Sequence, residues 1–172
     1  MQTARRHEGF TLLETVFALS MLLIVAAGIM PLGLMAVKTT ENQGHLAART
    51  TEYAQDKLEQ LMALSYGDST TDTRVFPATD TGGSGLAIGG NFDPDAAVND
   101  YVDYLDIDGN LIPAGGGGGA PAGWYYKRVW AVSSPKANLK QIAVSATVRV
   151  ASQGGVGDLP RSTVMALKTS PF

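Results

Sequence analysis

The chain has 172 residues, 45% apolar, 17% charged and 8% aromatic. These are globular rather than disordered proportions, with room for one ordinary domain and an appendage. A net charge of −3 without a basic run excludes the electrostatic footprint of a nucleic-acid binder. The absence of cysteine excludes disulfides, thiolate metal sites and cysteine nucleophiles.

The first element is an apolar run. Thr15 to Val37, 23 residues, holds no charged side chain. As a helix it is about 35 Å long at about 1.5 Å per residue, enough for a bilayer core of roughly 30 Å. Arg5 and Arg6 precede it, so the positive-inside rule puts the N-terminus in the cytoplasm and the remainder across the membrane. A core helix is disfavoured, because a domain this small has little to wrap every side of such a segment. A signal peptide cut after Ala27, behind the small residues Val25-Ala26-Ala27, and a plain single-pass anchor both fit the length.

The stretch before the run separates these readings. It is Gly9-Phe10-Thr11-Leu12-Leu13-Glu14-Thr15, and apolar character starts at Phe10, so Glu14 lies inside the hydrophobic segment. A carboxylate at a helix centre in the bilayer costs about 2.5–3.5 kcal/mol on insertion scales, less near the interface. A signal peptide or plain anchor gains nothing from it. An intramembrane acid points to function and to a partner of opposite charge.

With Arg5, Arg6, Gly9, Phe10, Glu14 and the apolar run in register, residues 5–37 resemble the type IV prepilin family. Its signature is a short basic leader ending in glycine, a phenylalanine, a glutamate at the fifth place after the cut and about twenty apolar residues. The resemblance implies a leader at 1–9, a transmembrane and assembly half of the helix at 10–37, an amphipathic half at 38–66 and an extracytoplasmic β-rich domain at 67–172. It implies cleavage between Gly9 and Phe10 by a prepilin peptidase, which then methylates the new amine of Phe10. Loss of the leader leaves 11 basic and 15 acidic residues, a net charge of −4. Glu14 would pair with the cationic N-terminus of a neighbouring subunit, each buried charge lowering the other's desolvation cost and setting axial register. Pro31, flanked by Gly28 and Gly33, matches the proline at which helices of this family bend. The partners implied are other pilins or pseudopilins and an inner-membrane assembly platform. The location implied is the inner membrane, with the C-terminal domain in the periplasm or an extracellular filament.

The helix should continue past the membrane, since Lys38 to Ser65 contains no proline and one glycine, Gly44. Leu46, Tyr53, Ala54, Leu58, Leu61 and Met62 recur mostly at spacings of three and four, with Glu52, Asp56, Lys57, Glu59 and Gln60 read onto the other faces. Gly67 is the expected stop. The segment from Leu58 to Asp68 resembles the close of this helix in minor pilins and minor pseudopilins.

Residues 67–123 are rich in Gly, Asp, Pro and Thr and read as long loops, with one hairpin in which Asp106-Ile107-Asp108-Gly109-Asn110 joins Tyr101–Leu105 to Leu111-Ile112. An EF-hand is excluded there, because Tyr104 and Gly115 stand where acids are needed. A different calcium site drawing on Asp93, Asp95, Asp103, Asp106 or Asp108 stays open. Gly115 to Gly119 reads as a flexible loop. Strands are expected over Trp124–Ser133, Ile142–Val150 and Thr163–Lys168, with a turn at Pro135–Asn138. In the second, Ile142, Val144, Ala146, Val148 and Val150 alternate with Ser145, Thr147 and Arg149, the pattern of an antiparallel sheet with one buried face. The helix stripe is its natural cover. The fold class expected is α+β, pilin-like, a long N-terminal helix packed on an antiparallel sheet.

Nothing in the chain reads as an active site, a cofactor site or a metal site. His7 and His45 cannot pair as ligands, and no nucleophile elbow, P-loop or dinucleotide fingerprint is present. Trp124, Tyr125, Tyr126 and Trp130 read as core. The expected function is a non-enzymatic minor subunit of a type IV pilus or type II secretion pseudopilus. The alternative is a membrane-anchored extracytoplasmic binding module that never assembles. Glu14 discriminates between them, since assembly needs it and anchoring does not.

Overall fold

A computed structural model of the chain describes residues 11–113, 119–149 and 160–170. Gly9, Phe10, most of the glycine run, Val150 and the Gly154–Gly157 loop lie outside the described residues. The chain divides between residues 42 and 43 into two compact units.

Helix α1 spans Leu12–Ala63, 52 residues, and includes Pro31. Thr11 caps its start, its hydroxyl accepting from the Glu14 N–H at 3.3 Å. Hydroxyls of Thr15 and Ser20 in the apolar stretch, and of Thr40 just beyond it, donate back to carbonyls of the preceding turn. Every side chain from 11 to 38 is exposed. α1 ends four residues before Gly67, because its last turn closes on itself, Leu64 N–H donating to Leu61 at 3.3 Å. The Lys168 ammonium then donates to the carbonyls of Met62 and Leu64.

In the second unit the helix, from residue 43 onward, packs on a six-stranded antiparallel sheet. The strands are β1 (Gly89–Gly90), β2 (Val102–Leu105), β3 (Leu111–Ile112), β4 (Tyr126–Lys136), β5 (Leu139–Val148) and β6 (Arg161–Thr169). The order is β3-β2-β4-β5-β6, with β1 also paired to β4. Tyr126, Trp130 and Val132 of β4 and Ile142, Val144, Ala146 and Val148 of β5 meet Tyr53, Ala54 and Leu61 of α1 in one core. Tyr53 and Tyr126 pack edge to face at 4.8 Å. The α+β architecture expected from the sequence is the one observed.

Three local expectations change. The β4–β5 turn is Ala137-Asn138, with Asn138 at φ 62°, a value asparagine tolerates. Pro135 instead sits where the β4–β5 register shifts between Ser133 and Lys136, a place that asks no N–H of it. The second face of the sheet is also covered. Ser145 is fully buried, and Val102, Tyr104 and Val129 form a second cluster with Trp124. The cover is a 3-10 turn at Pro94–Ala96, within the stretch read as loop, held by Lys127 to the Pro94 carbonyl and Arg161 to Asp93 at 2.9 Å. Close approach requires glycine at position 90, where φ is 78° and a Cβ would stand 2.2 Å from the Trp130 carbonyl oxygen.

Candidate functional site

Two places in the chain gather the side chains of interest, and the first was singled out by the sequence. Thr11 and Glu14 sit at the start of α1, spaced as a capping box, with Glu14 in the first turn where a carboxylate complements the exposed N–H groups. The helix beyond them is long and apolar enough to cross a membrane, and the side chains of its apolar window are unburied. Gly9 and Phe10, between which cleavage is expected, fall outside the described residues.

The second place is one the sequence reading missed. Lys57, read onto a polar helix face, is fully buried against the sheet. Its ammonium donates to the Asp103 carboxylate at 2.9 Å and to the carbonyl and hydroxyl of Thr73 at 2.7 and 2.8 Å, and it lies 4.1 Å from the Trp130 ring centroid. Arg128 grips the same carboxylate through two bonds of 2.7 and 2.8 Å. Alternation explains the meeting. Asp103 and Arg128 are paired partners on β2 and β4, on the helix-facing side, and Lys57 lies four residues from both Tyr53 and Leu61 on the buried stripe. A second, shallower network adjoins it, in which Arg74 bridges Asp72 at 2.9 Å and also pairs with Asp100.

Burial draws the Lys57 ammonium down to about 8, the Asp103 charge opposing the shift and Arg128 adding to it. Burial also disfavours the charged form of Asp103, but Arg128 and Lys57 outweigh it and hold the carboxyl below its usual range. Asp72 is likewise held low, bonds from Arg74 overcoming its burial. An amine with a lowered pKa invites a catalytic reading. Here the three Lys57 protons have three acceptors and no solvent reaches the group, so no lone pair is offered to a substrate. The arrangement is a clamp between helix and sheet.

The aspartates considered for calcium do not converge. Asp103 belongs to the clamp, Asp93 caps the 3-10 turn and pairs with Arg161, and Asp106 organises the hairpin by accepting from the N–H groups of Asp108 and Asn110. Among the described residues no group of three acids or histidines is placed to hold a metal ion. Trp130 and Tyr126 are core, as expected, whereas Trp124 lies on the opposite face of the sheet against Tyr104.

A cleft of about 900 Å³ opens beside the clamp, between the exposed side of α1, the segment 73–78 and the β2–β3 hairpin. Gly109, at φ 90° in the hairpin turn, lies so close to the Tyr53 hydroxyl that a Cβ would approach to 2.4 Å. Comparison with protein-family models, with curated proteins and with solved structures finds no match.

Proposed function

We propose that the chain is a pilin-like precursor, cut between Gly9 and Phe10 and incorporated through α1 as a minor, non-enzymatic subunit of a type IV pilus or a type II secretion pseudopilus. The observation that carries this reading is Glu14, the fifth residue counted from Phe10 and in the first turn of a helix whose side chains to residue 38 are almost all apolar and all exposed. An unpaired carboxylate at that depth is costly, and a partner cation removes the cost. The amine freed at Phe10 is such a cation, presented by a neighbouring subunit in a staggered array. Exposed apolar side chains on all faces of the segment suit transfer from lipid to a bundle of like helices. The soluble part would then lie outside the inner membrane, and prepilin peptidase and the assembly platform would be its partners.

Mass spectrometry of the protein purified from its own membrane tests the first step. A mature N-terminus at Phe10, carrying one added methyl group, is expected. A start at Gly28 would make the segment a secretory signal, and an intact Met1 a plain anchor. Replacing Gly9 with a bulky residue should leave the precursor uncut in the membrane.

A further inference from the structure

We draw no further inference here: the strongest candidate, the outer edge of β6 with Met165 and Leu167 exposed on one face of the sheet, carries nothing, because nothing in the structure shows what covers it.

Discussion

The two parts of helix α1 invert the usual relation between polarity and burial. From Leu12 to Lys38 the side chains are almost all apolar and all exposed, whereas near the other end Lys57, a charged residue, is sealed from solvent. Periodicity within one segment explains neither fact. The first part is long and apolar enough to cross a membrane; in the lipid surroundings proposed for it, exposure carries no penalty for leucine and a large one for Glu14. In the second part the surroundings are supplied by strands distant in sequence, and a cation is tolerated because Asp103, Thr73 and Trp130 meet it. Burial is thus decided by partners, and each part can be probed by removing one.

The largest effect should come from Asp103→Asn. It leaves Lys57 and Arg128 as two buried cations without their anion, and about 3–5 kcal/mol of stability should be lost, measured by urea unfolding of the full chain in detergent. Lys57→Met should cost much less, because Asp103 keeps both bonds from Arg128 and the methionine fills the same space. Equal losses in the two variants would mean that the clamp is not the asymmetric unit described. Leu61→Asp, which places a charge in the core without any partner, should likewise cost several kcal/mol and exceed Leu58→Asp, since Leu58 is only partly buried.

Changing pH separates the members of the cluster. Asp103 and Asp72 have folded pKa values below the ordinary 3.8, so their stabilisation is complete above that value and disappears as pH falls through the folded values. On the alkaline side the sign reverses. Lys57 loses its proton near 8 in the folded protein and near 10.5 in the unfolded chain. Between these values the unfolded state binds one more proton, and this group adds stability with rising pH, with a slope of up to about 1.4 kcal/mol per pH unit. Subtracting the Lys57→Met profile from that of the parent isolates the contribution. A flat difference between pH 8 and 10 would show that the amine stays charged in the fold.

In the first part of the helix the informative change is Glu14→Leu. Insertion into membranes should be unaffected or improved, while co-purification with the filament or pseudopilus should drop sharply. Wild-type incorporation of this variant would favour the anchored module that does not assemble. The smallest effect is expected at Arg49–Glu52, an exposed pair one turn apart. Arg49→Ala should shift the unfolding midpoint within what about 0.5 kcal/mol produces.

Much of this was readable from the residues. The helix, the β2–β3 hairpin, strands β4 to β6 and the alternation of β5 follow from spacing, turn residues and composition. Lys57 was not read correctly, although its place four residues from Tyr53 and Leu61 put it on the buried stripe. A window of sequence assigns a lone lysine to solvent because its counter-charge lies 46 positions away on β2. The cover over the second face was hidden for a similar reason. Asp93 and Pro94 resemble any loop until Arg161 and Lys127 are seen to hold them.

The lysine that closes α1 has a consequence in time. The carbonyls of Met62 and Leu64 receive their donor from Lys168, and that of Tyr66 from Lys140, so the end of the helix waits on residues up to 106 positions further along the chain. A chain emerging from its N-terminus presents α1 early and β6 late. Until β6 docks beside β5, the Met62 and Leu64 oxygens lack the Lys168 donor and the Ile142–Val164 side of the core lacks its last strand. Completion of the domain is therefore tied to arrival of its final strand, and a nascent chain paused before Lys168 would hold a formed helix over an unfinished sheet.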